Sequence, residues 1–168
     1  EDASCLNLYL PQKPTILGVP PALRQRGGFA FQESLPVPQG ADPWSLLAAD
    51  LGPGVIPAVA DFNSAQWILH TGLGEELTLN DGEGRPVRLR LVGLLRDSIF
   101  QGELLVASEN FERLFPRQSG HSFFLVEAPV QTLDAVAAAL EEGLEAFGFD
   151  ATTSAARLTA YHAVENTY

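Results

Sequence analysis

Four side chains in this sequence could act as metal ligands, bases or nucleophiles: Cys5, His70, His121 and His162. Their spacing works against it. The histidines lie far apart, with neither the i, i+4 interval that puts two imidazoles on one helix face nor a nearby cysteine pair. A single cysteine cannot close an internal disulfide. The stretch "QSGHS" (118–122) sets Ser119 close to His121. It lacks the G-x-S-x-G elbow, however, and adjacency in sequence does not make a nucleophile and base pair. "NDGEG" (80–84) has the acids and glycines of a calcium loop, without ligands at alternate positions or the closing Glu, and reads as a hairpin turn. "LRQRGGF" (23–29) is glycine-rich, yet no G-K-[ST] follows to hold a phosphate. The sequence therefore nominates no catalytic, cofactor-binding or metal-binding residue and no cofactor. Cys5, His70, His121 and His162 are expected to do no chemistry, and stability should be indifferent to chelators.

Composition limits the partners. Twenty-one acidic residues against 10 basic ones give a net charge of −11, and Lys13 is the only lysine. That balance disfavours nucleic acid, whose binding rests on Lys/Arg clusters that release counterions, and it disfavours an anionic membrane surface. With 168 residues, 46% hydrophobic and 18% charged, the chain is long enough to bury about 70% of its unfolded surface. No run of about 18 apolar residues suggests a span, and "EDASCLNLYL" has no signal-peptide pattern. The absence of any methionine is expected of a segment of a longer protein or of a processed chain.

Three textures follow one another. Residues 1–50 carry Pro11, Pro14, Pro20, Pro21, Pro36, Pro38 and Pro43 among several glycines, which predicts a Pro/Gly-rich extended segment packed on the rest, with little regular structure. Within it, "PWSLLAADL" predicts a short helix capped by Asp42. Residues 51–119 predict a smaller strand-rich lobe. "VIPAVAD" (55–61) is an apolar strand, with Pro57 pointing to an edge or the end of a ladder. Asp61, Asn63 or Ser64 then caps a helix bearing Ala65, Ile68 and Leu69, which ends near Gly72 and Gly74. Leu77 and Leu79 begin a strand, and "NDGEG" turns it. In the next strand Val87, Leu89 and Leu91 alternate with Arg88 and Arg90 before Val92, Leu94 and Leu95 make it apolar on both faces. A strand at Leu104–Val106 leads into "SENFERLFP", a short helix capped by Ser108 and stopped by Pro116.

Residues 120–168 predict a βαβ-like lobe. "SFFLVEA" (122–128) reads as a strand. Leu133, Val136, Ala137, Leu140, Leu144 and Phe147 follow at helical intervals, with Gly148 as the cap, and "FDATTS" reads as a second strand. The buried-stripe reading predicts that Leu140→Ala costs roughly 2 to 5 kcal/mol and Glu141→Ala less than about 0.5 kcal/mol. A last helix starts at Thr152, Thr153 or Ser154 and carries Leu158, Tyr161, Val164 and Tyr168 on one side. It has no stop signal: no terminal Gly or Pro and no Lys or Arg in the final turn. The fold class is α+β.

"VIPAVADFNSAQWILHTGLGEELTL", a turn, and "VRLRLVGLLRDSIFQGELLVASENFERLFP" together resemble the extracytoplasmic, MacB-like periplasmic core domain of FtsX/MacB-like ABC transporter permeases. The resemblance covers residues 50–168. "LGEEL" stands where that family often has Gly-Asp, and the first 50 residues depart from the common pattern. The resemblance implies a non-catalytic domain on the extracytoplasmic (periplasmic) face of the bacterial inner membrane, anchored through the parent protein. A cytoplasmic ABC ATPase would act on it through transmembrane helices, and its partner would be a transported substrate or a periplasmic protein. It also implies that the last helix, ending in "VENTY", runs into a membrane span. Two further readings stand beside it. A stand-alone extracytoplasmic ligand- or protein-binding module would carry a deep apolar pocket with a few convergent polar groups. A hydrolase, the weakest of the three, would place a perturbed His or carboxylate in a cleft.

Overall fold

The ten-residue strand Pro86–Leu95 (β5) organises the first part of the chain. Its first half alternates: Leu89 and Leu91 are buried while Arg88 and Arg90 look outward, and from Leu91 to Leu95 every residue is buried. A strand apolar on both faces needs cover on both, and its neighbours supply ladders along both edges. In the structure, a computed structural model that describes residues 14–165, the six strands among the described residues form one mixed sheet. They are Thr15–Val19 (β1), Phe31–Ser34 (β2), Val55–Asp61 (β3), Glu76–Asn80 (β4), β5 and Glu103–Ala107 (β6). The order is β1-β6-β3-β5-β2, and β4 also pairs with β5. Along one edge of β5, β4 pairs antiparallel with Pro86–Arg90 and β2 with Gly93–Leu95, while β3 runs parallel along the other edge. The protein is α+β.

Pro57 lies inside this sheet rather than at its margin. β3 pairs with β5 over its whole length, but its ladder to β6 is formed by Val59 and Ala60 only. The residue that lacks an N–H therefore precedes that ladder. The hairpin turn forms as expected and is closed by Asp81, whose Oδ1 accepts from the Glu83 N–H (2.8 Å) and the Arg85 N–H (2.9 Å). The Arg85 N–H foremost, then the Arg85 side chain and the Glu83 N–H, hold the Asp81 carboxyl below its ordinary range. Across the hairpin, Arg90 and Arg88 both reach Glu76, at 2.5 Å and 3.5 Å.

The Pro/Gly-rich beginning is more ordered than its composition suggests. β1 and β2 are sheet strands, and Pro21–Arg26 (α1) is a helix with Pro at its first turn and Gly27 beyond its end at φ 67°. Proline here sets boundaries: Pro20 precedes α1, and Pro36 follows β2. Pro43–Ala48 is a 3-10 helix whose Trp44 N–H donates to Asp42 Oδ1 at 2.9 Å, so Asp42 caps it as expected. Trp44 is fully buried, its Nε1–H donates to the Gly28 carbonyl at 2.8 Å, and the Phe29 and Phe31 rings meet it edge-on.

Phe31 also accounts for Gly93. A Cβ there would stand 2.6 Å from Phe31 Cε1. Gly93→Ala is therefore expected to lower stability by about 1 to 3 kcal/mol through overpacking, measured by urea unfolding, and the smaller ring in a Phe31→Leu background should reduce that loss.

Two local expectations change. Ser64–Ile68 is a π-helical turn, closed by Leu69 N–H to Ser64 O at 2.9 Å, rather than an α-helix. Asp61 is the capping residue, accepting from the N–H of Asn63 and of Ser64. Only Ser64 and Ala65 of that turn are buried, so no apolar stripe supports a longer helix. Ser108 is the first residue of the helix Ser108–Leu114 (α2) and caps no backbone group, Ala107 holding the N-cap position.

Contacts divide the chain into two compact units, residues 1–119 and 120–168. The second unit contains Leu133–Gly143 (α3) and Ser154–Glu165 (α4), with single 3-10 turns at Val130–Thr132 and Glu145–Phe147. The helix expected to run to Phe147 ends at Gly143, with Leu144 at its C-cap, and Gly148, in the left-handed region, caps the 3-10 turn instead. Neither expected strand is present: 122–128 and 149–153 lie in no ladder, and this unit has no βαβ arrangement among its described residues. A strand is stable only as part of a ladder, and this unit offers those segments none. The stripe on α3 is real in direction, since Leu133, Val136, Ala137, Leu140 and Leu144 face inward, but each is only half-buried and Phe147 is exposed. Leu140→Ala is accordingly expected to cost under about 2 kcal/mol, below the range for a fully enclosed leucine. Glu141, whose Oε1 accepts from the Ala151 N–H at 3.1 Å, should lose a comparable amount when cut to alanine. Chemical denaturation of the two variants measures the difference.

Candidate functional site

A concavity of the first unit opens beside β3, β5 and α2 and has a volume of about 630 Å³. Its apolar wall comes from Leu47 of the 3-10 helix, Val55, Ile56 and Pro57 of β3, Val87 of β5 and Leu114 of α2. Each element presents these residues for a reason legible in the chain. β3 is apolar from Val55 to Ala60, Val87 lies on the inward register of β5, and Leu114 closes the last turn of α2. The loop 48–54, bent at Gly52 (φ 91°) and Gly54 (φ 75°), forms one side of the mouth. Asp50 in that loop accepts from the Gly52 N–H at 2.9 Å, which holds the bend.

Besides Asp50, the charged groups of the cavity come from α1 and α2. Arg24, with its side chain 13% exposed, meets Glu109 at 2.5 Å. Arg113 donates to Asn110 Oδ1 at 2.7 Å and makes no ion pair among the described residues. The Glu109 carboxyl is held below its ordinary value of 4.5, first by its own backbone N–H at the start of α2 and then by the Arg24 guanidinium and Ser108, against the opposing effect of desolvation. A depressed carboxyl contributes stability that is present above its unfolded value and is lost as pH falls through the folded one. Following the Glu109 side chain by NMR is therefore expected to give a midpoint below 4.5, and Arg24→Gln should move it upward.

A second polar cluster joins the end of β3 to the β5–β6 loop. Asp61 is fully buried, and its Oδ2 accepts from the Ser98 N–H at 2.7 Å. Ser64 Oγ accepts from the Gly102 N–H at 2.8 Å and donates to Gln101 Oε1 at 3.1 Å. Every contact in this cluster is satisfied within the chain, and it braces the loop instead of presenting a reactive group.

The histidines are not brought together. His70 is exposed with φ 50°, His162 is exposed on α4, and the exposed His121 ring lies 6.4 Å from that of Phe124. Cys5 lies outside the described residues. Among the described residues no group of three His, Cys, Asp or Glu side chains could hold a metal ion. Within the second unit, Phe124, Leu125, Val126, Val130 and Phe147 are between 41% and 84% exposed, and no described residue is fully enclosed. Trp67 and Ile68 are exposed on the first unit. No described helix is long and apolar enough to cross a membrane.

Sequence reading missed the cavity because its two arginines, Arg24 and Arg113, stand 89 positions apart in two short helices, neither in a recognisable motif. Comparison with protein families, with curated proteins and with solved structures found no match to this chain.

Proposed function

We propose that this chain is the non-catalytic extracytoplasmic domain of an FtsX/MacB-like ABC transporter permease. In this reading it couples ATP hydrolysis by a cytoplasmic ABC ATPase to export of a substrate or to control of a periplasmic partner. The observation that carries the reading is the folding together of the stretch that bears the resemblance. Residues 55–114 form β3, the π-helical turn, β4, the hairpin, β5, β6 and α2 around one sheet, whereas the βαβ-like unit expected in 120–168 is absent among the described residues. Within β5, Gly93 makes room for Phe31. α4 supports a mechanical role: its inner face bears Leu158 and Tyr161, and Arg157 Nε–H donates to Tyr161 Oη at 2.9 Å while lying over the Phe123 ring.

The test is topological. In the intact parent protein, a cysteine introduced at exposed Gln118 is expected to react with a membrane-impermeant maleimide in spheroplasts, and the protein should co-purify from detergent with an ABC ATPase. Labelling only after lysis, with the protein in the soluble fraction, would sink the reading. The cavity is the specific observation that favours the second reading, a ligand-binding module, and thermal-shift screening of the isolated chain addresses it.

A further inference from the structure

We propose that the cavity beside β3, β5 and α2 binds an apolar chain ending in a carboxylate, and that Arg113 receives that carboxylate. The volume of about 630 Å³ falls in the range of sites that enclose small ligands, about 300 to 1,000 Å³. Its apolar lining includes Val55, Pro57 and Val87, set over the buried Leu47, Ile56 and Leu114. Such a surface calls for hydrocarbon.

Charge then selects the end group. Of the two arginines that line the cavity, Arg24 pairs through one terminal nitrogen with Glu109 at 2.5 Å, while its buried Nε–H has no partner among the described residues. Arg113 bonds only a neutral amide oxygen, that of Asn110, and makes no ion pair among the described residues. A guanidinium has five N–H donors in a fork suited to a carboxylate, so most of its capacity remains unused. Arg113 is exposed at the rim of this partly apolar cavity, and its guanidinium, without a carboxylate among the described residues, is open to an anion from outside. A monoanion fits better than a phosphate. Asp50 and Glu109 line the same cavity, and a dianion would meet their repulsion with one free cation to offset it. A cationic head group is disfavoured by Arg113 itself.

A fatty acid and the free C-terminus of an apolar peptide share this chemistry. Calorimetric titration of the 168-residue chain with decanoate, decanol, acetyl-trileucine and acetyl-trileucine amide separates them. At least one of the two acids is expected to saturate one site, with its uncharged counterpart at least about tenfold weaker. Which acid binds identifies the source. Arg113→Gln, an exposed substitution whose folding is checked by melting, should weaken the acid by about tenfold and leave the uncharged ligand unchanged. Val87→Trp, which fills the cavity from β5, should remove binding of both. The proposal is overturned if neither acid binds with a Kd below about 1 mM, if acid and uncharged counterpart bind equally, or if Arg113→Gln leaves the acid's affinity intact. It stands apart from the transporter reading, since it concerns the isolated chain.

Discussion

Asp61→Ala is expected to destabilise the first unit by about 2 to 5 kcal/mol, read as a lower urea midpoint with an unchanged slope. Two effects oppose one another. A fully buried carboxylate without a cation is costly to desolvate, and on that ground alone an apolar replacement would be neutral or favourable. Against it stand the donors that Asp61 satisfies: the N–H of Ser98 at 2.7 Å, of Asn63 at 3.0 Å and of Ser64 at 3.5 Å. Ser64 and Ser98 are themselves buried. Once the carboxylate is gone their amides have no water to turn to, and each orphaned donor costs about 1 to 3 kcal/mol. The donors win because there are two enclosed ones and a third beside them. Asp61→Asn should recover part of the loss, as one amide oxygen can still accept. Because Asp61 ties the end of β3 to residue 98, amide exchange in loop 96–102 should accelerate before that of β5. An alanine variant as stable as the parent would mean that the desolvation cost governs this site.

How much of this was legible in the sequence depends on how local the cause was. Asp42, the Asp81 turn, the alternation along β5 and the Gly148 cap act through neighbours within a few residues, and each is found where its residue type places it. Pro57 points to an edge or the end of a ladder, and the second holds, since β3 meets β6 only through Val59 and Ala60. Here the chain begins the β6 ladder two residues later, a solution visible only in pairing. β1 and β2 were hidden by the prolines around them, which delimit these strands without entering them. The segment 122–128 has the composition of a strand and no ladder among the described residues, since composition specifies a willingness to pair and not a partner. The cavity was illegible for a related reason: its two arginines come from α1 and α2, and nothing in either helix announces the other.

If the chain is the transporter domain proposed, inserting two glycines after Ala163 in the parent protein should abolish coupled transport while ATP hydrolysis continues. α4 spans 12 residues, so it is a rod of about 18 Å. Arg157, which lies over the Phe123 ring and so ties α4 to its own unit, comes before the insertion point. The isolated domain should therefore keep its melting temperature. Beyond that point the insertion adds roughly 2 kcal/mol of helix penalty and turns the continuing helix by about 200°. Softening and rotation can be separated with two alanines, which impose the same turn while preserving helix propensity. A rod that transmits rotation fails with both insertions. A rod that needs only stiffness fails with the glycines and survives the alanines. Transport that persisted with the glycines would make α4 a passive tether. The chain would then be a binding module held near the membrane, with the cavity beside α2 as its working part.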